Sequence, residues 1–332
     1  MFISVMITMA KITTDNFPEG ISNCRWCTSS RIRRIANGAK ARWIVEEPSS
    51  SETSYLLKCE DCNLVYFSAS FSEGELSRMY SGYRSVEYQR IRSKYEPWYT
   101  QKINDAIGHS TEVLNVRRQH LESLLCDALT KQSGSISSPT RVLDVGGDEG
   151  QFIPSLDSIV AKAVLEVSGV RPVNGAEVFS DWIEVDNFLP DMIMMCHVLE
   201  HIEHARENIV NASKSLSPGG LLYIEIPLDR PVNIGRIFST RFYLKYTQLL
   251  CKAPYLFVLA DFVSLVSRRF LKRPIPGAVV KQNEHINFFD GKTIAAVVET
   301  LGFELIHESE YKPSSGVPVL DVSASGTLFV RR

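Results

Sequence analysis

At 332 residues the chain can build one large domain with a small one beside it, or two medium domains. Its 44% apolar and 22% charged residues are ordinary for a soluble globular fold, and a net charge of -2 gives no overall basic field to attract nucleic acid. No apolar stretch reaches the roughly 20 residues needed to cross a bilayer; the longest, Tyr255 to Val266, is interrupted by Asp261.

Residues 1–20 read as a disordered or strand-like leader. Their short apolar run has no basic region before it and no small-residue cleavage site after it, which argues against a signal peptide. Seven cysteines without a secretory signal point to a reducing, cytoplasmic setting and to metal binding, not to disulfides. Within residues 21–70, Cys24-x-x-Cys27 and Cys59-x-x-Cys62 stand 31 residues apart. Two such knuckles can supply the four thiolates of a closed tetrahedral zinc site, which is structural because no coordination position is left for substrate. So small a section has little core of its own, and metal would supply much of its folding energy. Between the knuckles, Trp43-Ile44-Val45 and Tyr55-Leu56-Leu57 are β-prone. Cys126, Cys196 and Cys251 have no partner at metal-ligand spacing and are expected as buried thiols.

Residues 71–135 are expected to be a helical linker. Tyr80, Tyr83 and Tyr88 come first, then Ile103, Ile107, Leu114, Leu121, Leu125 and Leu129 recur at spacings that make one apolar stripe. KQSGSISSPT, residues 131–140, has the composition of a connecting loop.

From residue 136 strand and helix alternate. AKAVLEV (161–167), DMIMMC (191–196) and LLYIEIP (221–227) read as buried strands, Pro218-Gly219-Gly220 as a turn, and His197 to Leu216 has helical periodicity. Such alternation predicts a parallel sheet covered on both faces, while FELIHESEY and SGTLFVRR, two strands in succession, predict an antiparallel finish. The first strand of this region ends in LDVGGDEGQF, a glycine turn expected between strand and helix. In a dinucleotide site the diphosphate occupies that corner, yet here Asp144, Asp148 and Glu149 crowd it. One such charge about 5 Å from a ligand charge is worth on the order of 3 kcal/mol at an effective dielectric near 20, which penalises phosphate and favours a cation. S-adenosylmethionine, with an ammonium, a sulfonium and no phosphate, fits. Glu166, 22 residues after Asp144, is placed to accept ribose hydroxyls. The plainer reading is a tight turn and a surface acid.

His197-Val-Leu-Glu-His201 matches the letters of a metalloprotease signature, but no third ligand stands at a recognisable spacing. The stretch also follows a buried strand, at the edge where open α/β sheets bind ligands. His201 and His285 are candidates for a base of near-neutral pKa, with Glu284 beside the latter; packing is the alternative for both. A supporting or packing role is the plainer reading of His197, and His204 is expected to be exposed. About residues 229–281 form an insert with ten Lys/Arg against two Asp, a local charge of +8. Phe238, Phe242, Tyr243, Tyr246, Leu249 and Leu250 suggest an apolar helical face there. A lid over a phosphorylated substrate is the preferred reading, then contact with an anionic membrane surface; a solvated hairpin with a dimer face would leave an oligomer open.

LDVGGDEGQF, LEV, PDMIMMCHVLEHI, LSPGGLLYIEIP and NEHINFFDGKTIAAVVETLGFEL, in that order, resemble the class I S-adenosylmethionine-dependent methyltransferases. The front, with its CxxC pair, CEDCNLVYFS and MYSGYRSVEY, resembles the subgroup bearing an N-terminal zinc module, which includes sugar C-methyltransferases. The resemblance implies an α/β fold with a Rossmann-like seven-stranded sheet, mostly parallel with an antiparallel last strand, a small zinc-ribbon-like module over 21–70, and a helical insert within a domain over 136–332. It implies S-adenosylmethionine and structural zinc as cofactors. Donor-binding residues would be Asp144, Gly146, Gly147, Asp148, Gly150, Gln151, Phe152, Glu166 and His197. Aromatics at Tyr80, Tyr83 and Tyr88 would fold over the cofactor, or else pack between the module and the core. Catalysis would fall to His201, Glu284 and His285. The sugar C-methyltransferases carry Tyr-x-Glu-His where this chain has Gln282-Asn283-Glu284-His285, so the Glu-His pair carries over and the tyrosine does not, leaving O-methylation open. The implied acceptor is a sugar or a nucleotide- or lipid-linked sugar. Against it stand an RNA methyltransferase or zinc-ribbon nucleic-acid protein, disfavoured by the acidic balance outside the insert, and a cofactor-binding scaffold without turnover.

Overall fold

The computed structural model describes residues 21–45, 53–80, 82–83, 85–107, 110–131, 136–166, 172, 175–228, 245–246, 248–250, 252–271, 280–312 and 322–332. The expected leader, and the insert positions Phe238, Phe242, Tyr243 and Cys251, lie outside the described residues.

Seven strands form the larger sheet: β4 (Arg141–Val145), β5 (Ala161–Leu165), β6 (Glu177–Phe179), β7 (Met192–Cys196), β8 (Leu221–Pro227), β11 (Phe303–Tyr311) and β12 (Ala324–Arg331). Their order is β11-β12-β8-β7-β4-β5-β6. The pairs from β6 to β8 are parallel, and β12 alone runs against its neighbours β8 and β11. This is the Rossmann-like sheet expected from the sequence. Side chains alternate across it, as the two-residue period requires. Leu143, Ile193, Met195, Leu222 and Ile224 face one core, packed under α5 (Trp182–Phe188), α6 (Ala205–Ser215) and α8 (Gly291–Val298). Val142, Met192, Met194, Leu221 and Leu328 face the other, packed on Leu121, Leu124, Leu125 and Ala128 of α4 (Thr111–Lys131).

A second sheet of five strands has the order β10-β3-β2-β1-β9. Its centre comes from the front of the chain: β1 (Ile32–Lys40), β2 (Thr53–Cys59) and β3 (Val65–Phe67). Its two edges come from β9 (Val280–Gln282) and β10 (Asn287–Phe288). Gly38 to Lys40 pair with Val280 to Gln282 in parallel, and Tyr66 and Val65 pair with Asn287 and Phe288 antiparallel. The stretch between β9 and β10 thus straddles the front sheet, a link that a linear division of the sequence does not reveal. Trp26 is fully buried in the same core as the large sheet, and its indole N–H donates to the Thr293 carbonyl at 2.7 Å.

Several expectations are corrected. The single stripe over 103–129 is divided: α3 (Gln101–Ala106) ends before α4 begins, and Ile103 packs with Trp43, Met79, Tyr88 and Tyr99, while Leu121 and Leu125 pack under the large sheet. Two further helices, α1 (Glu73–Tyr80) and α2 (Val86–Tyr95), precede them. Trp43 to Val45 form no strand; Trp43 follows β1 in a turn. Helix α6 starts at Ala205, not at His197, because the intervening carbonyls are taken. Asn287 Nδ2 donates to Leu199 O and Ile202 O, and the backbone N–H groups of Ile286 and Asn287 donate to Glu200 O. Cys126 is exposed and Cys196 buried. No helix follows the glycine turn: residues 146–160 run from β4 to β5 as turns and loop.

Candidate active site

The site is assembled at the C-terminal edge of β4, β5 and β7, where strands end and backbone turns away from the sheet. Asp144, the last residue but one of β4, is fully buried, and neither carboxylate oxygen has a hydrogen-bond partner. Burial pushes its carboxyl up to about 8, opposed by the charge of Arg117. Gly147 lies against it so closely that a Cβ there would stand 2.5 Å from Asp144 Oδ2. Gly146 has φ +64 and abuts Val198, so this corner also excludes a side chain. Gly146 itself is exposed, and its N–H donates to Leu165 O at 2.9 Å. Asp148 takes a left-handed φ of +52, and its N–H donates to Glu166 Oε2 at 3.3 Å. Glu166 therefore stands where β5 ends, tied to the turn above β4. Gly150, at φ +73, closes the turn by donating to Gly147 O at 2.7 Å. Gln151 and Phe152 come next, but Phe152 faces α4: the Arg117 guanidinium lies 3.6 Å from its ring centroid.

His197 leaves β7 with φ +57, and its ring is held between two buried carboxylates. Nδ1 lies 3.2 Å from Glu200 Oε1 and Nε2 3.1 Å from Glu225 Oε1. Burial and Arg117 push the imidazole pKa down, but the two carboxylates outweigh them and raise it above the ordinary value. Glu200, despite burial, is pulled down to about 2, mainly by the hydrogen bond from His197. Glu225 is anchored by an ion pair with Arg117 and by hydroxyl donors from Tyr223 (3.0 Å) and Tyr311 (2.8 Å). These supports escaped sequence reading. Glu200 was legible only as the acid of the H-x-x-E-H letters, and Arg117 and Glu225 sit in an ordinary helix and strand.

On the other side of Glu200 lie His201 and His285, with ring centroids 4.7 Å apart in an edge-to-face arrangement. One ligating atom of each of Glu200, His201 and His285 falls within a 4.8 Å group, and His197 stands outside it. The metalloprotease pairing of His197 with His201 is therefore not formed. His201 Nδ1 is 3.2 Å from Glu284 O. A carbonyl only accepts, so Nδ1 carries the proton and Nε2 is left as the basic atom. Burial, then the neighbouring His285, hold the His201 pKa below its ordinary value. Glu284 is itself clamped: Tyr88 donates to Oε1 at 2.8 Å and Arg92 Nη1 at 2.7 Å. Arg92 also bonds Glu96 at 2.7 Å and lies 4.7 Å from the Trp43 ring and 4.1 Å from that of Tyr99. Although desolvation pushes it the other way, Glu284 is kept below the ordinary carboxylate pKa, chiefly by Arg92. The Tyr80 phenol is raised by burial and then by the charges of Glu284, Tyr83, Glu200 and Glu166, and its ring lies 5.8 Å from that of Tyr83. His204, as expected, is exposed at the start of α6.

The four cysteines converge. Cys24 and Cys62 sulfurs are 3.7 Å apart, Cys27 and Cys59 sulfurs 3.5 Å, and all four lie within 4.8 Å of one another. Thiolates about 2.3 Å from a tetrahedral ion stand about 3.8 Å apart, so the donor set fits zinc.

Residues 117–308 match a family described as a methyltransferase domain. The chain belongs to that family. Among solved structures it is similar to the N-methyltransferase NodS from Bradyrhizobium japonicum WM9, at 15% identity over 67% of this chain and 97% of that one, with a TM-score of 0.36. It is also similar to magnesium protoporphyrin IX methyltransferase (ChlM) from Synechocystis PCC 6803 with bound SAH, at 12% identity over 77% and 100% of the two chains, TM-score 0.40. An O-methyltransferase family protein from Burkholderia thailandensis shares 16% identity over 77% and 76%, TM-score 0.33. No curated protein matches this chain. The family match carries the assignment.

Proposed function

We propose that the protein transfers a methyl group from S-adenosylmethionine to a small polar acceptor, a sugar or a nucleotide- or lipid-linked sugar, at oxygen or carbon. The observation that carries the donor is the orphaned carboxyl of Asp144 beneath a glycine turn, open to solvent at Gly146, with no helix after it. A diphosphate would need a helix N-terminus and would meet acids instead; a cation supplies what Asp144 lacks. Asp144, the turn Gly146–Gly150 and Glu166 would hold the donor, with Gln151 and His197 beside it. Phe152 serves the packing of Arg117 and supports the turn indirectly. When bound, S-adenosylmethionine supplies an electrophilic methyl group on a positively charged sulfur.

The chain's own residues then have two tasks. His201 Nε2 accepts the proton of an acceptor hydroxyl, or of a carbon next to a ketone, because its other nitrogen is fixed by Glu284 O. Glu200 and Glu284 are held ionised and favour the imidazolium that forms. His285 faces the same space and orients the acceptor or shares the proton. The acceptor class rests on the sequence resemblance to zinc-bearing sugar C-methyltransferases, including the retained Glu284-His285 pair. In this reading residues 21–70 form a zinc-held module, 71–135 the connecting helices and 136–332 the catalytic domain. The protein works in a reducing compartment; among the described residues no helix is long and apolar enough to cross a membrane.

His201→Ala and His285→Ala are expected to lower turnover by about 10²- to 10⁴-fold, the usual worth of a positioned base. Donor affinity should stay nearly unchanged. Because His201 is held below 6.5 by burial, turnover should fall on the acid side only as pH drops below that value, and His201→Ala should abolish this limb. Mass spectrometry of nucleotide sugars incubated with donor and enzyme gives the readout. Full turnover in both variants would remove the pair from the mechanism.

A further inference from the structure

Helix α7 (Pro254–Leu271) shows an apolar face that the fold leaves in solvent. Tyr255 is 89% exposed, Phe262 59% and Phe270 74%, and Leu259, Val263 and Val266 are also exposed. At 100° per residue these six positions fall within a sector of about 100°, and they extend over roughly 22 Å of helix. Exposed Leu or Phe taken singly needs no explanation, but a continuous stripe of this length does. Aromatic residues stand at both ends of it. The surrounding sequence is strongly basic: residues 229–281 hold ten Lys/Arg against two Asp, with Arg268 and Arg269 in the last turn of α7 and Lys272 and Arg273 next in the sequence. Lys245 and Lys252, just before the helix, are exposed. Nearby Leu250 is buried, and Tyr246 packs against Ala36, Leu56 and Phe67 of the front sheet, so the region is fastened to the body.

We propose that α7 lies along the surface of an anionic lipid bilayer, its apolar face among the acyl chains and its basic neighbours among the headgroups. An amphipathic helix too short and too interrupted to cross can lie in the interface plane, and lysines and arginines near the surface add electrostatic attraction. Charge decides between this occupant and a second copy of the chain, because pairing the face with itself would bring together two copies of a basic stretch of sequence that includes the exposed Lys245 and Lys252. The inference is independent of which acceptor is methylated.

The test is flotation of the full chain with vesicles of phosphatidylcholine alone or mixed with phosphatidylglycerol, at low and high salt. Binding is expected only to the anionic vesicles and to weaken with salt. Phe262→Glu with Leu259→Glu should reduce partitioning roughly tenfold or more, and Lys245→Glu with Lys252→Glu should reduce it by a smaller factor. Both variants change exposed residues, so their thermal melts should match the parent. Absence of binding to anionic vesicles, equal binding to both lipids, or binding unaffected by Phe262→Glu with Leu259→Glu would overturn the proposal. A dimer in size-exclusion chromatography that this last variant dissociates, without vesicle binding, would assign the face to a second copy instead.

Discussion

Asp144 is buried with its carboxyl neutral near pH 7, since burial raises it to about 8. Pairing it with the ammonium of a donor would ionise it, so binding below pH 8 must expel a proton, and affinity must rise with pH up to that value. Calorimetry with S-adenosylhomocysteine in buffers of different ionisation heat should register this release at pH 7. Asp144→Asn should remove the release and weaken binding by on the order of 100-fold, the equivalent of about 3 kcal/mol for one such charge pair. Equal heats in all buffers would show that this carboxyl takes no part. The acids and glycines of the turn were readable from sequence because spacing and residue type alone specify such a corner. That Asp144 is the buried member, while Asp148 engages Glu166 through its backbone, was not readable. Asp144 lies within β4, where every residue from Val142 to Val145 is buried, so side-chain alternation does not single it out, while Asp148 and Glu149 lie in the turn.

Among the elements, the segment between β9 and β10 does more than the sequence suggests. It supplies both edges of the front sheet, takes the carbonyls of Leu199, Glu200 and Ile202, and presents Glu284 and His285 to His201. Arg92, from α2, fixes its acid. Replacing Arg92 with Leu leaves Glu284 with only the Tyr88 hydroxyl and Glu96 with only Lys281, and stripping a cation from such a buried network is usually worth about 3–5 kcal/mol. A thermal or denaturant melt should show that destabilisation; a change under about 1 kcal/mol would contradict the clamp. The Glu284-His285 pair was legible as letters, but its partner Arg92 was not, since 192 residues separate Arg92 from Glu284. Local pattern likewise extended α6 back to His197, because periodicity does not see carbonyls captured from a distant loop. The antiparallel finish of β11 and β12, by contrast, follows from two strand-like stretches that succeed one another in the sequence, and it was readable.

Taken as a whole, the molecule joins two sheets through one shared core, and the cysteine quartet sits within it beside Trp26. Zinc in the quartet would then support catalysis without touching substrate. Metal analysis should return one zinc per chain. Removal by a strong chelator is expected to loosen the front sheet, displace Glu284 and His285 and abolish turnover, while Asp144 and its glycine turn still bind donor. A chain that keeps full turnover with no metal would rule out this dependence. The CxxC spacing made the quartet visible in sequence, whereas its union with the large core did not show, because Trp26 and Thr293 lie at opposite ends of the chain.

The most direct measurement is a titration of the full chain with S-adenosylmethionine or S-adenosylhomocysteine, set beside one with a nicotinamide dinucleotide. Saturable heat with the first pair and none with the dinucleotide is the expected result. Uptake of the dinucleotide with silence from both sulfur ligands would contradict the assignment of the acidic turn.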